Sequence, residues 1–136
     1  MDPVISLLCD LVATNSVNPS LVPGAPGEAA VAEVARAAMA AAGLDVEVED
    51  VLPGRPNVVG VLEGREPGPT VMLCGHLDTV GVEGMAAPFT PRIDDGALYG
   101  RGSQDMKGGL AAMIGAAQRL APTWKRGRLI VAGVID

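Results

Sequence analysis

Aromatic residues are scarce in this chain of 136 residues, where Phe, Tyr and Trp make up 2% of the sequence. The hydrophobic core must therefore be built from Ala, Val, Leu, Ile and Met. Basic residues are also few, since 10 Lys and Arg stand against 16 Asp and Glu, for a formal charge of −6. Binding to a nucleic acid or to an anionic membrane needs concentrated positive charge, so the composition argues against both partners.

Cysteines and targeting segments are scarce as well. The two cysteines, Cys9 and Cys74, lie far apart in apolar stretches, so we expect reduced, buried thiols and no disulfide framework. The first residues lack the basic and apolar segments of a secretory signal. The alanine-rich run 29–42 is too short to span a bilayer and contains charged residues. These absences predict a cytoplasmic protein.

Helical and strand patterns alternate along the chain, which predicts an α/β fold with a mixed, largely parallel sheet and helices on both of its faces. Helices are predicted over residues 2–13, 27–42 and 105–120. Strands are predicted over residues 44–49, 57–63, 70–74 and 128–136, with a hairpin turn at Asp95-Gly96. The continuously apolar segment 70–74 is typical of a strand buried on both faces. No linker or repeat divides the chain, so we expect one domain.

Three side chains are candidates for metal chemistry. His76 and Asp78 follow the apolar strand, and Asp105 opens the last predicted helix behind the segment Gly100-Arg101-Gly102. Imidazole and carboxylate groups both bind Zn²⁺, and a carboxylate beside a histidine can fix its tautomer. His76 and Asp105 are therefore candidate metal ligands, and Asp78 is a candidate partner of His76. The simpler interpretations are a hydrogen-bonded histidine at a strand end and an aspartate that caps a helix.

Other polar residues are weaker candidates. Cys74 could bind a metal as a thiolate, but a small buried residue is the simpler interpretation. Asp94 and Asp95 are interpreted as turn residues. The segment Gly100-Arg101-Gly102 is similar to the start of a dinucleotide-binding motif, yet Asp105 stands where the third glycine should be. Because a carboxylate at a helix N-terminus would repel phosphate, we expect no nucleotide cofactor.

Two segments taken together resemble a known family of metalloenzymes. They are Gly75-His76-Leu77-Asp78-Thr79-Val80 and Tyr99-Gly100-Arg101-Gly102-Ser103-Gln104-Asp105-Met106-Lys107-Gly108-Gly109. Both are similar to motifs of the zinc aminoacylase and carboxypeptidase family, which includes acetylornithine deacetylase, succinyl-diaminopimelate desuccinylase and glutamate carboxypeptidase. The resemblance covers essentially the whole chain, because Ser16-Val17-Asn18-Pro19 and Arg55-Pro56-Asn57 also fit its N-terminal portion.

The resemblance implies a role for each candidate residue. His76 would bind one zinc ion, Asp105 would bridge two, and Asp78 would serve catalysis by orienting His76. The two zinc ions, or cobalt or manganese in their place, would activate a water molecule that hydrolyses an amide bond. The implied substrate is an N-acyl amino acid or a small peptide.

The resemblance also implies that residues 1–136 are the N-terminal part of a single catalytic domain. Of the family's Asp-Glu-Glu motif, which supplies the general base and a zinc ligand, only Asp136 has a counterpart. A second histidine and a lid domain, through which relatives often form homodimers, are absent. We therefore expect this chain alone to be inactive, since acid–base catalysis typically contributes about 10²–10⁴-fold. The alternative is a non-catalytic α/β remnant that binds at most one metal ion weakly.

Overall fold

Three α-helices form in the computed structural model, which describes residues 1–136. Helix α1 spans Pro3–Ala13, and the Asp2 carboxylate caps it by accepting a hydrogen bond of 2.8 Å from the Val4 N–H. Helix α2 spans Ala29–Ala41, and helix α3 spans Gly108–Leu120. All three lie within or close to the predicted ranges. None of them combines the length and the apolar content that crossing a membrane requires.

Six strands form two sheets. The larger sheet has the order β1-β2-β6-β3, and its strands are β1 (Asp45–Leu52), β2 (Arg55–Glu63), β3 (Glu66–His76) and β6 (Arg126–Val134). The predicted hairpin at Asp95-Gly96 joins β4 (Arg92–Asp94) to β5 (Ala97–Tyr99).

The larger sheet is mixed, and this confirms the predicted α/β class. Strand β3 pairs with β6 in parallel, whereas β1 pairs with β2 and β2 pairs with β6 in antiparallel orientation. Parallel pairing is therefore the smaller part of this sheet, contrary to the expectation of a largely parallel one. The reason is local, because β1 and β2 are joined by a tight turn at Pro53-Gly54, and a tight turn can connect only antiparallel strands.

All three helices lie on the same face of this sheet. A Cβ atom added to Gly60 would lie 3.0 Å from Met39 Sδ in α2, and one added to Gly75 would lie 2.8 Å from the Met113 methyl group in α3. Both glycines share a face, because Gly60 is in register with Val131 and Val131 with Leu73, two residues before Gly75. Helix α1 then packs against α2 and α3. Within residues 1–136 the helices thus cover one face of the sheet, not both as predicted.

Strand β3 is more exposed than its apolar sequence predicts. It lies at the edge of the sheet, where it pairs only with β6, and Met72 is 57% exposed. Cys74 is exposed and Cys9 is partly buried, and both are free thiols. The predictions of buried cysteines and of a strand buried on both faces are therefore wrong. The physical reason is that no second strand and no helix of residues 1–136 covers this side of β3.

Candidate metal centre

His76 lies at the carboxyl end of β3, beside Val134 at the carboxyl end of β6. Its Nδ1 atom is 2.9 Å from the backbone oxygen of Asp78 and 3.1 Å from Asp78 Oδ1. Both oxygens can only accept a hydrogen bond, so they favour the tautomer with a proton on Nδ1. In this tautomer the Nε2 atom keeps its lone pair, and a lone pair on Nε2 is what a metal ion binds.

Asp105 reaches the other side of the His76 ring. Its Oδ1 atom lies 2.9 Å from His76 Nε2, and its side chain is 85% exposed. The prediction that Asp105 opens the last helix is wrong, because its backbone is extended (φ −122°, ψ 96°) and α3 begins at Gly108. A wide turn over Ser103–Lys107 precedes the helix, and a Cβ atom at Gly108 would lie 2.6 Å from Ser103 O. Glycine at position 108 therefore lets this turn close and present the carboxylate to His76.

Two opposing effects act on the His76 imidazole. Its partial burial lowers its pKa, because burial disfavours the charged ring. The hydrogen bonds to Asp105 and to the Asp78 backbone, together with the negative charges of both carboxylates, outweigh burial and raise the pKa above its ordinary value. The surroundings of Nε2 therefore favour a positive charge at the position between the ring and Asp105.

The His76–Asp105 pair faces a polar cavity of about 290 Å³. Its walls are the segment after β3, with His76, Asp78, Thr79 and Val80, and residues 100–105. Val80 is the only hydrophobic residue in the lining, and no glutamate is part of it. Thr79 and Arg101, which both line this cavity, each have a buried side-chain atom without a hydrogen-bond partner, Oγ1 and Nε respectively. The cavity is thus lined almost entirely by polar residues, with His76 and Asp105 at its wall.

The donor groups suit a divalent metal ion, although the set is incomplete. An imidazole nitrogen and a carboxylate oxygen that face each other are both common zinc ligands. No cluster of three or more His, Cys, Asp and Glu side chains able to hold a metal exists in residues 1–136. Cys74, Asp94 and Asp95 do not line the cavity, and Asp95 has the positive φ of +46° of a turn residue, as predicted. His76 and Asp105 thus fit two ligand positions of a metal site.

Sequence reasoning missed the role of Asn18. This residue is 2% exposed, and its Nδ2 atom donates hydrogen bonds of 2.8 Å to both Asp78 Oδ2 and Asp136 Oδ1. The segment 16–19 was noticed only as part of the family resemblance. The one signal in the sequence was that Asn18 directly follows the apolar residue Val17 within a polar loop. Such a position allows the asparagine side chain to be buried beside the site.

Lys107 is another buried polar residue that the sequence analysis did not single out. Its side chain is fully buried, and its Nζ atom donates a hydrogen bond of 2.8 Å to Thr14 O at the end of α1. Removal from water disfavours the ammonium form and lowers the pKa of Lys107 to about 8. Lys107 thereby ties the turn that carries Asp105 to helix α1, at a cost in stability.

The low pKa of Lys107 predicts a pH-dependent stability. In the unfolded chain this lysine has its ordinary pKa of 10.5, so between about pH 8 and 10.5 the unfolded state binds more protons than the folded state. The free energy of unfolding contributed by Lys107 is therefore lowest below pH 8 and rises with pH across this window. Relative to Lys107→Met, the wild type should gain about 2–3 kcal/mol between pH 7 and pH 10.

Urea denaturation of the wild type and Lys107→Met at several pH values measures this difference. Groups that titrate in both proteins cancel in the comparison. Lys125→Met, which removes an exposed lysine, is the matched control and should differ from the wild type by a constant amount. A difference between the wild type and Lys107→Met that does not change with pH would contradict the prediction.

Solved structures share this fold. Human carnosine dipeptidase 1 matches with a TM-score of 0.77 at 23% identity, over 98% of this chain and 32% of that chain. The Bacillus subtilis YXEP protein, described as a dinuclear metal binding peptidase from the M20 family, matches with a TM-score of 0.64 at 18% identity, over 96% of this chain and 34% of that chain. Residues 1–136 therefore share the α/β fold of these structures.

Sequence matches are more specific than the fold. The profile of peptidase family M20/M25/M40 matches residues 72–136, which contain both motifs. Succinyl-diaminopimelate desuccinylase from Xanthomonas euvesicatoria pv. vesicatoria (strain 85-10) is 37% identical over 123 residues, which are 88% of this chain and 30% of that protein. The chain thus matches peptidase family M20/M25/M40 over residues 72–136, and this confirms the resemblance based on the two motifs. It spans about a third of the length of the proteins it matches.

Proposed function

We propose that this chain is part of a metal-dependent hydrolase and supplies His76 and Asp105 to a two-zinc site. The enzyme would cleave the amide bond of an N-acyl amino acid or of a small peptide. The observation that carries the proposal is the distance of 2.9 Å between His76 Nε2 and Asp105 Oδ1 at the wall of a polar cavity. Further support comes from the 37% identical desuccinylase and from the dinuclear metal centre ascribed to the B. subtilis peptidase.

Each residue would have a distinct task. His76 would hold one zinc ion through Nε2, and Asp105 would contact both ions through its carboxylate. Asp78 would accept a hydrogen bond from the Nδ1–H group of His76 and so favour the tautomer with a lone pair on Nε2. Zinc, or cobalt or manganese in its place, would lower the pKa of a water molecule and polarise the amide carbonyl.

Arg101 supports the proposed substrate class. Its side chain lines the same cavity as His76 and Asp105, and its Nε atom is buried without a hydrogen-bond partner. A guanidinium group binds a carboxylate through paired, charge-assisted hydrogen bonds. An N-acyl amino acid or a peptide carries such a carboxylate, so Arg101 would orient the substrate against the two ligands.

The alternative proposal is a non-catalytic remnant that binds at most one metal ion weakly. It is favoured by the incomplete ligand set, since no third metal-binding side chain joins His76 and Asp105. Residues 1–136 also bring no glutamate to the cavity to act as a general base. We therefore propose that this chain alone does not turn over substrate. A cytoplasmic location and homodimers of the whole enzyme remain predictions.

A chimera distinguishes the two proposals. In it, residues 1–136 replace the matching segment of the Xanthomonas desuccinylase, which contributes the rest of the catalytic domain. With added zinc, the chimera should hydrolyse N-succinyl amino acids, whereas residues 1–136 alone should not. In the chimera, His76→Ala should lower the rate by more than about 100-fold. A change outside the ligand set can already cost about 100-fold, and the loss of a ligand should cost more.

The control variant of the chimera is Cys74→Ala, which changes an exposed side chain outside the cavity and should keep full activity. A folded, zinc-loaded chimera without hydrolase activity would support the remnant. Turnover by residues 1–136 alone, free of contaminating hydrolases, would contradict the assignment of the missing groups to other parts of the enzyme.

A further inference from the structure

Asn18 joins the two aspartates that end the neighbouring strands β3 and β6. Its single amide nitrogen carries two protons, and the 2.8 Å distances to Asp78 Oδ2 and to Asp136 Oδ1 assign one proton to each carboxylate. Asp78 is consequently held at both of its oxygens, since Oδ1 lies 3.1 Å from His76 Nδ1. A continuous path of contacts thus runs from Asn18 through Asp78 to the imidazole.

The Asn18 amide has only one orientation that satisfies its surroundings. Its Oδ1 atom accepts a hydrogen bond of 2.8 Å from the Ser20 backbone N–H. The NH₂ group must therefore face the carboxylates, because an exchange of the two amide atoms would place an oxygen against Asp78 and Asp136 and a donor against the Ser20 N–H.

The backbone around Asn18 is anchored to the segment that carries Asp78. The Asn18 N–H donates to Thr79 O and the Thr79 N–H donates to Ser16 O, both at 2.9 Å. The Ser16 hydroxyl donates to Leu77 O at 2.8 Å, and Val17 forms an isolated parallel bridge with Thr79. Asn18 is therefore held at a constant position relative to Asp78.

Only a neutral donor suits this location. Two carboxylates that converge on one nitrogen repel each other, and the amide protons offset this repulsion without adding a charge. An aspartate has nearly the same shape as asparagine but no proton to donate at neutral pH. Asn18→Asp would bring a third negative charge to within hydrogen-bond distance of Asp78 and Asp136.

We propose that Asn18 is a positioning residue of the metal centre, an inference that rests on the proposed function. By holding Oδ2 of Asp78, it directs Oδ1 toward His76 Nδ1 and so favours the tautomer that offers the Nε2 lone pair to a metal ion. By holding Asp136 as well, it sets the carboxyl end of β6 against that of β3. Asn18 acts through Asp78 and does not contact the metal or the substrate.

The His76 tautomer is a direct readout of this role. His76 is the only histidine of the chain, so its ¹⁵N ring signals need no further assignment. In metal-free Asp105→Ala, which removes the carboxylate acceptor from Nε2, and at a pH where the ring is neutral, we expect the tautomer protonated on Nδ1. Adding Asn18→Asp or Asn18→Ala to this background should give a mixture of both tautomers. In the chain that keeps Asp105, either Asn18 substitution should lower the zinc affinity about 10–100-fold. Asn18→Asp combined with Asp78→Asn restores one donor–acceptor pair and should recover part of both properties.

Asn57→Ala is the matched control. Asn57 also buries a side-chain hydrogen bond at the end of β6, where its Oδ1 accepts from the Ile135 N–H at 3.0 Å, but it has no hydrogen bond to Asp78. It should lower stability and leave the tautomer and the zinc affinity unchanged. If Asn18→Asp does not fold, the Asn18→Ala variant decides by the same measurements.

An unchanged tautomer in folded Asn18 variants would overturn the inference, and so would a shifted tautomer with an unchanged zinc affinity. An altered tautomer in Asn57→Ala would overturn it too, since a general loss of packing would then explain the effect. The expected tautomer in Asp105→Ala, together with a wild type that binds no zinc, would contradict the proposed function, which separates the failure of the function from the failure of the tautomer argument.

Discussion

His76→Ala is expected to lower the zinc affinity of this chain by at least about 100-fold, and Asp105→Ala should do the same. The reason is that residues 1–136 bring only these two ligands together, at 2.9 Å, so each substitution removes half of the donor set. Because both side chains would contact the same ion, the effects should not add. The zinc affinity of the double variant should therefore be at most a few-fold lower than that of either single variant.

Competition with a chromophoric chelator measures these affinities, and the absorption of bound Co²⁺ reports the ligand set independently. Asp94→Ala is the matched control, because Asp94 is a carboxylate that pairs with Arg92 in the β4–β5 hairpin, outside the cavity. Its zinc affinity should equal that of the wild type. Wild-type affinity in His76→Ala would refute the assignment of this residue as a ligand.

Glu28→Ala is expected to destabilise the fold by about 3–5 kcal/mol, which is the usual cost of removing one partner of a buried ion pair. The Arg55 guanidinium donates two hydrogen bonds to the Glu28 carboxylate, from Nε at 2.9 Å and from Nη2 at 2.6 Å. The side chains of Arg55 and Glu28 are 7% and 0% exposed, so the cation left behind would be buried. Loss of a proton cannot relieve this cost, because an arginine guanidinium stays charged even without its partner.

This ion pair also supports the site. Arg55 donates hydrogen bonds to the Ser20 hydroxyl at 3.1 Å and to Ile135 O at 3.5 Å, next to the loop of Asn18 and the end of β6. We therefore expect Glu28→Ala to loosen the Asn18 network as well as the fold.

Urea denaturation measures the effect of Glu28→Ala. Glu33→Ala removes the carboxylate of an exposed pair with Arg36 and should cost far less, because water screens such pairs. Glu28→Leu combined with Arg55→Met should recover most of the stability, since it leaves no buried charge. Equal losses of stability for Glu28→Ala and Glu33→Ala would contradict the prediction, because the buried pair would then contribute no more than the exposed one.

Local features of the fold were predictable from the sequence. The Asp2 cap of α1 and the Asp95-Gly96 hairpin depend on residues within a few positions of each other, and both form as predicted. The start of α3 was predicted less well. Asp105 looked like a cap, but the wide turn over Ser103–Lys107 moves the helix start to Gly108. The close approach of that turn to Gly108 is a three-dimensional property that no helix propensity contains.

By itself, the sequence determined the α/β class, the family motifs and the three candidate residues His76, Asp78 and Asp105, because motif spacing and hydrophobic periodicity are properties of short segments. Only the tertiary structure decided that the helices cover one face, that β3 lies at an edge, and that Asn18 bridges Asp78 and Asp136. These contacts join residues 60 and 118 positions apart. Whether such distant side chains come into contact depends on how the whole chain is packed. The burial of each contact then decides how much it contributes to stability.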